Sequence, residues 1–146
     1  MIERVQLRSA DRLAGLVLTY VDFEDYTGTS AIAVDVELEA YGFAGAVPSV
    51  WFQRGPLDEF GEALVRFERE RSGSVSVCNL GVPGASNEFT MSMAARSGGH
   101  ASLQASVRRL SYRLELTASF NVDGGELGQF VRDWRGLFAM RLPPAA

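Results

Sequence analysis

Few side chains in this sequence could do chemistry. His100 is the one histidine and Cys78 the one cysteine among 146 residues. A single histidine excludes paired-histidine metal motifs such as HExxH, and any serine–histidine–aspartate arrangement would have to use His100. That residue follows Ser97-Gly98-Gly99, whose glycines supply the positive φ angles of a tight hairpin, so it is expected to be solvated or structural. Cys78 stands in Val75-Ser76-Val77-Cys78-Asn79-Leu80, with no neighbouring cysteine or helix amino terminus to activate it. A buried, inert thiol is the expectation. One cysteine also excludes a disulfide framework within the chain.

The carboxylates are more numerous but poorly grouped. Asp35, Glu37 and Glu39 share one face of a strand, where alternate residues lie about 6.5–7 Å apart. That is too far for three carboxylates to hold one cation without ligands from elsewhere. They are expected to form a solvated face or a protein-contact surface. Glu88 and Glu115 are the carboxylates an enzyme reading would have to use, and it is the least favoured reading. Gly42-Phe43-Ala44-Gly45 and the stretch from Leu80 to Asn87 are turn chemistry, matching neither GxGxxG nor GxxxxGK[ST]. No catalytic residue, no metal and no organic cofactor is expected.

Charge is unevenly distributed. All fourteen basic residues are arginines. Residues 13–53 hold six acids (Asp22, Glu24, Asp25, Asp35, Glu37, Glu39) and no arginine, whereas residues 96–146 hold seven arginines against four acids. The net charge is −4. A mean acidic field argues against nonspecific nucleic-acid binding and suits a basic partner. No apolar run reaches the length of a membrane span, and the first residues lack a signal-peptide core, so a cytoplasmic protein is expected.

Period-two alternation must position these groups. In the segment 31–39, Ile32, Val34, Val36 and Leu38 face one way and the acids the other. Residues 112–122 repeat the pattern, and weaker strands are expected near 3–9, 13–23, 46–53, 74–80, 87–96 and 100–109. Pro48 lacks a ladder donor, so 46–53 should be an edge strand or begin after it. Two segments turn to helical spacing, at about 56–70 and 124–138. Leu57, Phe60 and Leu64 in the first parallel Leu127, Phe130 and Trp134 in the second. Pro56 suits a first helical turn, Asp58, Glu59 and Glu62 suit the amino end, and Asp123 with Glu126 has capping-box spacing. The expected fold is α+β over a single domain, residues 1–146: one mostly antiparallel sheet of about 7–8 strands, with two amphipathic helices packed on one face. The order suggests a β4-α pseudo-repeat.

The acidic strand, then Ala40-Tyr41-Gly42-Phe43-Ala44-Gly45, the Trp-x5-Leu-x2-Phe-x3-Leu run from Trp51 to Leu64, the Gly98-Gly99-His100 turn and the closing Leu127/Phe130 helix together resemble small bacterial proteins close to the WapI-type immunity proteins. The likeness covers about residues 30–140. It implies a non-enzymatic, cytoplasmic antitoxin that binds and neutralises a polymorphic toxin domain. The resemblance supplies no contact residues; charge placement alone makes Asp35, Glu37 and Glu39 the expected docking face for a basic protein toxin, with no nucleic acid and no membrane as partner, and the oligomeric state is unassigned. The alternative is a small-ligand-binding or regulatory α+β domain.

Overall fold

Among the described residues, apolar residues spaced by two over eight segments give eight strands, and helical spacing over two segments gives two α-helices. The computed structural model describes residues 2–26, 29–79 and 87–139. Strands β1 (Arg4–Arg8), β2 (Ala14–Tyr26), β3 (Thr29–Ala40) and β4 (Phe43–Gln53) pair antiparallel in that order, and α1 (Arg54–Glu70) follows. Strands β5 (Ser74–Cys78), β6 (Asn87–Ala95), β7 (Ala101–Arg109) and β8 (Leu114–Val122) pair likewise, followed by α2 (Gly124–Trp134) and a π-helical turn over Arg135–Ala139. The pseudo-repeat of four strands and a helix is therefore real.

The strands divide between two four-stranded sheets, where one sheet was expected. Helix α1, seventeen residues long, lies between β4 and β5, and β4 packs against β6, β7 and β8 without pairing with them. β8 crosses the end of the first sheet: Gly45 of β4 lies against its Leu116, and the amide of Ala10 donates to the carbonyl of its Asn121 at 2.9 Å.

The buried faces of both sheets and both helices share one core. Leu57, Phe60 and Leu64 are buried, as are Leu127, Phe130 and Trp134. Phe60 meets Trp134 edge to face, with ring centroids 4.9 Å apart. Asp123 caps α2 by accepting from the Glu126 amide at 2.8 Å, as its spacing predicts. Helix α1 starts two residues before Pro56, so the acids expected at its amino end lie beyond the first turn. Asp58 instead pairs with Arg54 one turn back, at 3.2 Å.

Pro48 sits inside β4, which begins at Phe43 and forms an edge of its sheet. The ladder accommodates it at a bulge, where register shifts between Val34 and Val36. Ser49 adopts a positive φ there, and its amide donates to Asp35 Oδ1 at 2.9 Å.

Candidate nucleic-acid interface

Most of the exposed large apolar side chains among the described residues lie at or beside hairpin tips. Tyr41 and Gly42 form the β3–β4 turn, both with positive φ, the backbone a two-residue hairpin requires. Their strands then overrun the crossing with β8. Phe43 shares the inward face of β4 with Gly45, and Leu114 shares that of β8 with Leu116. Each lies two residues past the contact, where the opposing sheet no longer covers it. Phe43 is 71% exposed and Leu114 59%. Tyr41, 54% exposed, is tied to the β1–β2 turn by its amide, which donates to the Leu13 carbonyl at 2.9 Å.

The β7–β8 tip has the same character and more charge. Leu110–Tyr112 form a single 3-10 turn, closed by Arg113 in the left-handed region. Tyr112 is 71% exposed. The Arg109 guanidinium sits 5.9 Å from its ring centroid, within reach of a cation–π contact. Arg113 is exposed beside it, and neither arginine has an ion-pair partner among the described residues. Arg108, one residue back, is met by Glu88 and Glu115, so Arg109 and Arg113 are the two uncompensated cations at this tip among the described residues. The result is an exposed aromatic ring flanked by two cations at a hairpin tip. Aromatic faces with flanking arginines can stack unpaired bases and attract phosphates.

The expected site residues are placed differently. Glu37 and Glu39 project from the outer face of the first sheet, while Asp35 is half-buried and engaged by Ser49. Pairing register sets Arg4 across from Thr19 and Asp35, and Arg8 across from Gly15 and Glu39, so the acid row faces an arginine row on β1 across a floor of small residues. Glu88 and Glu115 are brought together by Arg108, at 3.1 and 3.7 Å, as an ion-pair network on the outer face of the second sheet. His100 is exposed at its turn. Cys78 is exposed as well, against the expectation of burial: Val75 and Val77 take the inward positions of β5, and period two turns Cys78 outward. The turn at 80–87 lies outside the described residues except for Asn87.

Sequence reasoning gave Tyr41 and Phe43 only a turn and a place in the resemblance, and gave no binding role to these two or to Tyr112, Arg109 and Arg113. A signal existed in Arg108-Arg109-Leu110-Ser111-Tyr112-Arg113-Leu114, an aromatic interleaved with cations. The expected strand at 112–122 absorbed Tyr112, and the net charge concealed the local excess of arginine.

No protein-family model matches the sequence, and no curated protein matches it. Solved structures do. The plant transcriptional regulator PBF-2 superposes with a TM-score of 0.52 at 10% identity, covering 92% of this chain and 79% of that one. WHY1 from Arabidopsis thaliana superposes with a TM-score of 0.55 at 11% identity, covering 92% and 81%. At such identities the likeness shows a shared fold. The resemblance to WapI-type immunity proteins has no counterpart in these matches. Three expectations are corrected by a fold shared with a transcriptional regulator: a toxin-neutralising immunity protein, a basic toxin as partner, and the exclusion of nucleic acid. The physical error lay in averaging: a net charge of −4 says nothing about a tip where Arg109 and Arg113 flank an exposed ring.

Proposed function

We propose that this protein binds single-stranded nucleic acid, by base stacking on its exposed hairpin tips, and that it acts by binding without catalysis. The observation that carries the reading is Tyr112, exposed and flanked by Arg109 and Arg113. Tyr41 and Phe43 offer two further exposed rings at the tip of the β3–β4 hairpin. Stacking needs bases whose faces are free, which a duplex does not offer. Groove reading by a helix is disfavoured: α1 presents exposed Asp58, Glu59 and Glu62 to solvent, and duplex phosphates would repel them. The fold shared with a transcriptional regulator supports the same direction. Cytoplasmic placement, where nucleic acid is available, suits the reading, and no helix among the described residues is long and apolar enough to cross a membrane.

Fluorescence anisotropy with a labelled single-stranded oligonucleotide of about 16 nucleotides, against its duplex, tests this. The single strand should bind more tightly, and affinity should fall as salt rises. Absence of single-strand binding at low salt, or equal affinity for the duplex, overturns the reading.

A further inference from the structure

A second site lies away from the hairpin tips, in the groove between α1 and the end of α2. Its volume is about 460 Å³, within the range of small-molecule pockets. Leu57 and Val65 of α1 and Phe138 of the π-helical turn form apolar walls. Trp134 forms the floor, 2% exposed and packed against Phe138 with ring centroids 4.3 Å apart. Its indole N–H has no hydrogen-bond partner among the described residues, yet the nitrogen is not sealed from the surface. Gly61 keeps the way open. A Cβ added there would lie 3.9 Å from Trp134 Nε1 and meet no other heavy atom within 4 Å.

The indole N–H opens to the groove without a protein acceptor, so a ligand acceptor placed there can replace water on it while its apolar body is buried against the walls. The rim selects its charge. Arg66 and Arg135 line the groove with no ion pair among the described residues, and the charge of Asp58 is met by Arg54 at 3.2 Å. Glu62 is then the one uncompensated carboxylate at the rim, against two arginines. A flat apolar wall, an indole N–H and a cationic excess converge on one ligand chemistry. We propose that this groove binds a small apolar carboxylate, with the ring or alkyl body between Leu57, Val65 and Phe138. One carboxylate oxygen accepts from Trp134 Nε1–H, and the arginines hold the charge.

The test needs no nucleic acid, so its outcome is independent of the function proposed above. Protein labelled with 15N is titrated with 1-naphthoate while the two indole N–H resonances are followed. Trp51, on the outer side of the first sheet opposite Ala33, is the internal control. A saturable shift confined to Trp134 supports the site. Gly61→Leu should fill the groove and weaken binding about tenfold or more, with its thermal unfolding recorded to confirm that it folds. Arg66→Gln with Arg135→Gln alters surface charge alone and should weaken 1-naphthoate more than the neutral 1-naphthylmethanol. Failure of the Trp134 resonance to move, equal movement of Trp51, or unchanged affinity in Gly61→Leu would overturn the site. Equal affinity for the alcohol would overturn the carboxylate class. A Trp134 shift on concentrating ligand-free protein, with a doubled mass in solution, would show that a second copy covers the groove and would likewise overturn the proposal.

Discussion

Gly45 of β4 approaches Leu116 of β8 so closely that a Cβ at position 45 would lie 3.0 Å from Leu116 Cδ2 and 3.2 Å from its Cβ. This contact is where the two sheets cross. Its closeness determines how far Phe43 and Leu114 project past the covered core, so a packing detail sets the geometry of the exposed tips.

Gly45→Val should lower stability by about 1–3 kcal/mol, the usual cost of overpacking. Leu116→Ala should relieve part of that cost, so the double variant should be more stable than the sum of the single effects predicts. Urea unfolding midpoints of the four proteins measure it. Strict additivity would mean that the crossing is looser than described.

Arg71 ties three elements together. Its guanidinium donates to the Gly99 carbonyl at 2.5 Å, the Gly124 carbonyl at 3.3 Å and Glu68 Oε1 at 2.8 Å. It thereby joins the end of α1 to the β6–β7 turn and the start of α2. Arg71→Ala should cost about 1–3 kcal/mol. It should also raise amide exchange at the first turn of α2, near the freed Gly124 carbonyl. Unchanged exchange there would show the tie to be dispensable.

Trp134→Ala should cost about 3–5 kcal/mol, because the indole fills the space between Phe60, Phe130 and Phe138. A thermal unfolding midpoint within a few degrees of wild type would refute that packing role.

Much of the fold was legible because its strands obey period two with few exceptions. β3 and β8 alternate clearly, and the Leu-x2-Phe spacing located both helices. What escaped was the division into two sheets, since periodicity reports which face is apolar and not which strand lies beside it. The candidate interface escaped for a related reason. Phe43 and Leu114 occupy inward positions in their patterns, and their exposure follows from the crossing point, a relation between residues about seventy apart in sequence. Tyr112 was hidden because the strand begins at Leu114, after a turn that alternation could not distinguish from strand.

Asp11 supports the β1–β2 turn beside the tips. The Ser9 hydroxyl, donating at 2.5 Å, and the Leu13 amide at 3.0 Å hold its carboxyl below the ordinary aspartate value of 3.8, with the Tyr41 side chain adding to the effect. A depressed carboxyl pKa stabilises the fold above the unfolded-state value and loses that contribution as pH falls through the folded-state value. The turn should therefore hold at neutral pH and loosen only in strong acid. A carboxyl titration by NMR should place the Asp11 midpoint below 3.8, and a midpoint at or above it would contradict the hydrogen bonds described.

Arg109 and Arg113 should contribute through phosphates. Arg109→Gln with Arg113→Gln should reduce the salt dependence of single-strand binding, by roughly 0.7 in the log–log slope for each phosphate no longer neutralised. A slope unchanged from wild type would show that the phosphates are held elsewhere.

The most direct measurement compares wild type with the variant Tyr41→Ala, Phe43→Ala, Tyr112→Ala in single-strand binding by anisotropy at one salt concentration. All three side chains are exposed, so the fold should survive their removal, as circular dichroism would verify. Each stacked base contributes about 1–3 kcal/mol, so losing three platforms should weaken binding by roughly a hundredfold or more. A folded triple variant that binds the single strand as tightly as wild type would contradict base stacking on these tips.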